Sequence, residues 1–369
     1  MDNCVIPHGY KATALGIIPQ EWEVMLLGNL SNSISSGRNK HRDAHGQYPV
    51  FGSTGIIGYS STYEYEGPVI LVARVGANAG TLNFASGQYD VSDNTLIITI
   101  KQNVYDYNFA YNQLTHYKLN KLVFGSGQPL ITSKQLKNIR IPVPPLAEQR
   151  KIAEVLGVWD KAIEKQARLI EKLALRKRAL MQRLLSAKLR LPGFSEPWKK
   201  VKLGDVAELY QPQTIQSEDL SQTGYPVYGA NGLIGYYNNY NHEYPQVVIT
   251  CRGSSCGTVN FTPGKCWITG NAMVLNVDNN RDVNKSFFYY LISNSSFVNL
   301  ISESGQPQIV RQPLLKFELR IPPLKEQTAI AEVLTAADRE IDLAKEKLER
   351  LRRQKRGLMQ QLLTGKKRI

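Results

Sequence analysis

The side chains best suited to chemistry in this chain are hydrogen-bonding groups set on or beside glycine-rich turns. In the first half they are Arg38, Lys40, Arg42, Thr54, Arg74, Asn78, Asn94 and Gln128. In the second they are Gln213, Asn231, Arg252, Ser254, Asn271, Gln306, Gln308 and Arg311. Guanidinium, amide and hydroxyl groups of this kind make bidentate or groove contacts with base edges, and loops carried on a rigid scaffold are where such specificity is displayed. Three of these residues fall at matching places in the two halves: Arg74 with Arg252, Asn94 with Asn271, and Gln128 with Gln306. Residues shared in this way serve equally to hold loops or phosphates, because they do not distinguish one sequence from another.

Signals for catalysis are missing. There is no Gly-x-x-x-x-Gly-Lys-Ser/Thr phosphate loop. The Pro-Pro pairs, Pro144-Pro145 and Pro322-Pro323, follow valine or isoleucine and precede leucine, unlike the Asn/Asp-Pro-Pro-aromatic site of amino-methyltransferases. Five histidines are scattered without metal-ligand spacing, and Cys4, Cys251, Cys256 and Cys266 form no Cys-x-x-Cys pair, so reduced thiols are expected and no metal site.

The scaffold that must position the turns occurs twice. Ile18-Pro19-Gln20-Glu21-Trp22 and Leu27-Gly28 parallel Pro197-Trp198 and Leu203-Gly204, and the segment Tyr48 to Tyr59 is answered by Tyr225 to Tyr236. Runs rich in β-branched residues predict strands at Val69 to Val75 and Val247 to Cys251. Each run leads to an arginine, Arg74 or Arg252, and then to a glycine turn and a Gly-Thr-x-Asn-Phe segment. Asn94 and Asn271 precede further apolar strands, and Ser-Gly-Gln-Pro closes each half at 126–129 and 304–307. Each half therefore reads as a mixed α/β or mostly β globular domain followed by a long helix.

The long helical segments, 145–190 and 323–368, align without a gap at an offset of 178 and are identical at 22 of 46 positions. Apolar residues in the first fall at Ile152, Leu156, Trp159, Ile163, Ile170, Leu173, Leu180 and Leu184. In the second they fall at Ile330, Leu334, Ala337, Ile341, Ala344, Leu348, Leu351, Leu358 and Leu362. Alternating steps of four and three make a heptad seam, with Lys177 and Lys355 as its polar positions. The proline pairs suit the helix starts, Glu148 complements the N-terminal dipole, and Leu191-Pro192-Gly193 is expected to stop the first helix. About 44 residues at ~1.5 Å each give a rod of roughly 66 Å.

Only a few residues join Arg190 to Pro197-Trp198, so the helices are expected to run antiparallel with one globular domain at each end, related by a pseudo-two-fold axis. The fullest overlap sets Trp159 against Lys355, as a cation–π pair, Ile152 against Leu362, Ile163 against Leu351, and Lys177 against Ala337. Of the +14 formal charge, the segments 147–190 and 325–369 hold +12, leaving +2 for everything else. A charged outer face is normal for a coiled coil, and it also suits partner docking with some phosphate attraction. No run approaches the roughly 20 apolar residues of a membrane span and the start lacks a signal-peptide apolar region, so a cytoplasmic location is expected.

Two similar domains held apart by a spacer imitate a dimeric DNA reader with two half-sites. The halves differ at Ser36-Gly37-Arg38-Asn39-Lys40-His41-Arg42 against Gln211-Pro212-Gln213-Thr214-Ile215-Gln216, which predicts half-sites of different sequence. At this point the whole chain resembles the specificity subunit of type I restriction-modification enzymes. The Pro-Leu-x-Glu-Gln-x-x-Ile-Ala-x-x-Leu helix opening, the Tyr-Pro-Val-Tyr-Gly-x-x-Gly segment, with Phe51 for the second tyrosine in its first copy, and the Ser-Gly-Gln-Pro turn, each present twice, carry that resemblance.

The resemblance implies an α+β fold with two similar target-recognition domains, 1–144 and 191–322, separated by two long antiparallel coiled-coil helices, 145–190 and 323–369. It implies that each domain reads one half of a bipartite asymmetric site on double-stranded DNA, with the helices as ruler and as dock for two methyltransferase subunits. Restriction subunits would join through the complex. S-adenosylmethionine, ATP and Mg would be bound by the partner subunits and no cofactor by this chain. Other classes remain open at the level of sequence: the specificity subunit of a stand-alone or type IIB-like methyltransferase/nuclease, an enzyme acting on DNA by itself, or a coiled-coil scaffold.

Overall fold

A computed structural model describes residues 6–40, 43, 45–124, 129–229, 232–302 and 307–369. The chain divides into two compact units, Met1–Ala167 with Lys347–Ile369, and Arg168–Glu346.

In the first unit, strands Ser31–Ser36, Thr95–Ile100, Val69–Ala73 and Leu82–Ala85 lie side by side in that order, all antiparallel. The two central strands, Thr95–Ile100 and Val69–Ala73, are largely apolar on both faces because both faces are covered, whereas the edge strand Ser31–Ser36 is mostly serine and half exposed. Ile70, Val72, Leu96 and Ile98 point into the main core with Phe109 and Leu114 of helix Tyr107–Tyr117, while Val69, Leu71 and Ile97 point the other way, onto Tyr89 and Val91. Those two residues belong to a second sheet, ordered Gly55–Ser60, Tyr48–Gly52, Gln88–Val91 and Tyr65–Glu66, in which Val50 and Phe51 pair in parallel with Asp90 and Val91.

The second unit repeats the plan. Strands Glu208–Tyr210, Ala272–Asn276, Val247–Thr250 and Val259–Phe261 form one sheet, and Gly232–Tyr237, Tyr225–Gly229 and Trp267–Ile268 the other, again with one parallel pairing. The strands expected to reach Val75 and Cys251 end at Ala73 and Thr250, where the chain leaves the sheet for the glycine turn.

The long helices run Leu146–Leu184 and Leu324–Leu362, 39 residues each, or about 58 Å at ~1.5 Å per residue. The first stops short of the expected Arg190. Ala187 adopts the left-handed conformation at φ 58°, and Leu189 N–H closes the end on the Arg183 carbonyl at 3.0 Å. The duplicate position is Gly365, at φ 71°, which fits the usual glycine C-cap. Ala187 therefore carries a Cβ where glycine is favoured, and Ala187→Gly is expected to stabilise the fold by about 1 kcal/mol, seen as a higher denaturation midpoint at unchanged slope. Gly365→Ala goes the other way by more, since a Cβ there would run into the Pro19 ring.

Every expected seam residue is buried or half-buried, from Ile152, Leu156, Leu334 and Leu362, which are fully enclosed, to Trp159, Ile163, Ile170, Leu180, Leu351 and Leu358 at the margins. Leu173, Leu184, Ile330, Ala337, Ile341, Ala344 and Leu348 are also buried. Ion pairs fix the antiparallel register within each unit. In the first, Lys355 Nζ meets Asp160 Oδ1 at 2.6 Å; in the second, Lys177 meets Asp338 and Arg176 meets Glu340. Lys355 and Lys177 thus bond the residues next to the expected seam partners Trp159 and Ala337. An ammonium given a carboxylate one position from an aromatic ring takes the carboxylate, whose full charge outweighs a ring quadrupole, and Lys355 makes no cation–ring contact among the described residues. No described helix is long and apolar enough to cross a membrane.

Candidate nucleic-acid interface

In the first unit the polar turns collect where strands Ser31–Ser36, Val69–Ala73 and Thr95–Ile100 exchange with loops. Gly37 N–H donates to Thr95 O and Asn39 N–H to Val91 O, both at 2.9 Å, which lays residues 36–40 along 91–95 and leaves Arg38 and Lys40 exposed. Only glycine permits this approach, because a Cβ on Gly37 would strike the carbonyl oxygens of Val91 and Ser92. Ser92 N–H reaches Phe51 O at 2.8 Å, anchoring the hairpin whose turn carries exposed Thr54. Arg74 N–H donates to Asn94 O at 2.9 Å, Ile131 N–H to Arg74 O at 2.9 Å, and Gly76 N–H to Pro129 O at 3.0 Å. Asn94 and Asn78 are exposed on the bonded turns, where the Asn78 carbonyl accepts from Thr81 N–H at 2.9 Å.

The second unit uses the same backbone bonds. Cys251 N–H donates to Asn271 O at 3.0 Å, Ile309 N–H to Cys251 O at 2.9 Å, and Gly253 N–H to Pro307 O at 3.0 Å. Exposed Arg252, Ser254 and Asn271 and half-buried Gln308 lie on these turns. Gln213 is exposed, and its carbonyl accepts from Trp267 Nε1 at 3.2 Å.

These bonds correct one expected equivalence. Arg74 occupies the place of Cys251, and Arg252 that of Val75: the bridge of Val75 to Leu130 is repeated by Arg252 to Gln308. The two arginines are one step apart on an extended segment and so turn to opposite sides. Arg74 is half-buried, with Nη1 3.2 Å from Ser36 Oγ and a buried Nε that has no partner among the described residues, and it braces the loops. Arg252 is exposed. Cys251 sits beneath it, its thiol pushed up to about 11 by burial, so it is an inert packing residue.

Arg311 does not join its group. It lies on helix Arg311–Leu315 beside Asn276, Asn280 and Arg281, at the opposite end of strand Ala272–Asn276 from Asn271. Arg42, Gln128, Asn231 and Gln306 fall outside the described residues. No cluster of metal ligands is found among the described residues, and Cys251, Cys256 and Cys266 are free.

The Glu-Gln pair at the start of each long helix, whose role sequence reasoning missed, ties that helix to the domain that carries the turns. Gln149 is fully buried. It accepts from Asp106 N–H at 2.8 Å and donates to Val104 O and Pro144 O at 2.9 Å each, while Asp106 itself caps helix Tyr107–Tyr117. Gln327 repeats this on Asn284 N–H, Asp282 O and Pro322 O, all at 2.9 Å. Glu148 takes a bidentate pair from Arg368 at 2.7 and 3.0 Å, and Glu326 one from Arg190 at 2.6 and 2.7 Å. Identical charges at both ends of a repeat, Glu148/Glu326 and Arg190/Arg368, were the available signal.

A family model described as the type I restriction modification DNA specificity domain matches the chain twice, at residues 19–174 and 195–353. The type I restriction enzyme MjaVIII specificity subunit of Methanocaldococcus jannaschii is 24% identical, covering 95% of this chain and 94% of its own length. The putative MjaX specificity subunit from the same organism is 26% identical over 98% and 97%. A crystal structure of the type I restriction-modification S subunit from M. genitalium shares the fold, with a TM-score of 0.65 at 20% identity over 93% of this chain and 96% of that one.

Proposed function

Because the chain belongs to the type I restriction modification DNA specificity domain family, we propose that it is the sequence-reading, non-catalytic subunit of a DNA-modifying complex. In this reading each unit recognises one half of a bipartite, asymmetric site on double-stranded DNA. The long helices set the distance between the halves and dock two methyltransferase subunits, through which restriction subunits join. Adenine methylation with S-adenosylmethionine and any ATP- and Mg-dependent step belong to those partners.

The observation that carries the proposal is the pair of loop clusters. Both are built on the same backbone bonds at the same edge of the same kind of sheet, yet they present different polar side chains: Arg38, Lys40 and Thr54 in one, Gln213, Arg252 and Ser254 in the other. A shared frame with divergent tips is what two different half-sites require. Arg252→Ala in the assembled complex is expected to cost about 1–3 kcal/mol of discrimination at one base position, in one half-site only, read by competition binding against DNA substituted at each position. A uniform loss across all sequences would make Arg252 a phosphate contact instead. Exchanging residues 1–140 for those of a relative should change one half of the methylated site and keep the other, whereas a scaffold would show no change.

A further inference from the structure

The internal duplication lets one half serve as template for the other. In the second unit Tyr290, on helix Lys285–Ser293, is buried against the long helix Leu324–Leu362. Its phenol donates to Asp338 Oδ2 at 2.7 Å and lies 3.3 Å from Thr335 Oγ1. Lys177 takes the other oxygen of Asp338 and holds its ammonium 5.3 Å from the Tyr290 ring centroid. One aromatic side chain thus satisfies a carboxylate with its hydroxyl and a cation with its ring.

The first unit keeps the ion pair and lacks the tyrosine. Lys355 holds Asp160 Oδ1 at 2.6 Å, as Lys177 holds Asp338. Asn112 stands where the duplicate has Tyr290, and its amide turns back to Asn108 O at 2.8 Å. Gly157 stands in place of Thr335, and a Cβ there would meet nothing within 4 Å. The result is a groove of about 680 Å³ with Asn112, Gly157 and Asp160 along it and Phe84, Tyr111 and Val158 as its more apolar walls. The charged side chains of Arg150, Glu154 and Lys161 also line it. Val158 is 63% exposed and Phe84 39%. The Asp160 side chain is 54% exposed, and no protein donor takes its Oδ2 among the described residues. Burial first and this carboxylate's charge second raise the neighbouring Tyr111 phenol above its usual range.

We propose that this groove is a docking site for a tyrosine side chain presented by a protein partner, which supplies from outside what Tyr290 supplies from within. The ring packs between Phe84 and Val158, and the hydroxyl donates to Asp160. A hydroxylated ring is selected over phenylalanine because its O–H donates a charge-assisted hydrogen bond to the Asp160 carboxylate, as Tyr290 does to Asp338, and an apolar ring makes no such bond. The two halves consequently offer a partner different surfaces. This inference stands on the groove and its filled duplicate and does not depend on what the loops read.

The test uses the full chain and 4-methylphenol, the tyrosine side chain as a free molecule, titrated by ligand-observed NMR. Saturable binding in the millimolar range is expected, with toluene at least ten-fold weaker. The triple variant Asn112→Tyr, Gly157→Thr, Val158→Ala, which copies the second unit, should abolish binding without lowering the melting temperature. Gly157→Leu, which fills the groove while replacing a glycine inside a helix, should do the same should the triple variant fail to fold. A photo-crosslinking residue at position 158 in the purified native complex should then capture a peptide whose tyrosine, changed to phenylalanine, weakens assembly about ten-fold. Toluene binding as tightly as 4-methylphenol, unchanged binding in both filled variants, or capture of a peptide without tyrosine would overturn the proposal.

Discussion

Arg190→Met is expected to cost the second unit about 3–5 kcal/mol, because it strands a buried carboxylate. The Glu326 side chain is 1% exposed, and both its oxygens are taken by Arg190 Nε and Nη2. Among the described residues no other side chain donates to Glu326. Trp198 Nε1, the nearest relative of a donor seen in the other unit, is buried without a partner, and the helix N-terminus on which Glu326 sits returns only about 0.5 kcal/mol. Arg368→Met should cost less. Trp22 Nε1 still donates to Glu148 at 3.1 Å, and Arg368 itself is more exposed and shared with Glu21. Adding Glu326→Leu to Arg190→Met should recover most of the loss, since an apolar pair of similar volume often replaces a buried ion pair at little cost. Denaturant titration of the full chain decides the matter: a loss below about 1 kcal/mol for Arg190→Met would mean that water reaches Glu326 and the bridge is ornamental.

How much of this was legible depended on whether the determinant is periodic. The long helices and their seam follow from spacing alone, and Ile152, Leu156 and Leu334 lie buried where the heptad puts them. The strands at 69 and 247 were legible from composition instead, as short unbroken runs of β-branched residues. The helix end was not, since alanine rarely adopts the left-handed conformation found at Ala187; its duplicate, Gly365, held the clue. The arginine equivalence failed because residue type was matched instead of backbone bonding. The offset between the halves is 177 at Asn94 and Asn271 and 178 at Asp106 and Asn284, so Arg74 and Arg252 pair by name while facing opposite ways. The Glu-Gln motif was visible twice, but its bonds run to backbone more than 40 residues upstream, a distance that no local pattern encodes.

Lengthening both long helices by one heptad should move the preferred gap between half-sites by about three base pairs, since seven residues at ~1.5 Å add ~10 Å and each base pair spans ~3.4 Å. The register dictates that both must be lengthened. Insertions after Ala167 and after Glu346 leave Lys355 on Asp160 in the first unit and Lys177 on Asp338 in the second, whereas lengthening one helix alone forces a seven-residue bulge opposite an unchanged partner. A heptad keeps each helix face to within about 20°, so the loop platforms keep nearly their original orientation. Three base pairs, at about 10.5 per turn, rotate one half-site by roughly 100° relative to the other. That twist must be absorbed by deforming the DNA, so the lengthened protein should bind its new site more weakly than the parent binds its own, by a few kcal/mol on the scale of DNA deformation. Discrimination for the original gap should fall by about a thousand-fold or more, towards non-specific binding. Competition across DNAs whose gaps run from the parental length to six pairs longer gives the answer: an optimum near three added pairs with unchanged half-site sequences is expected, and an optimum that stays at the parental gap would sink the ruler.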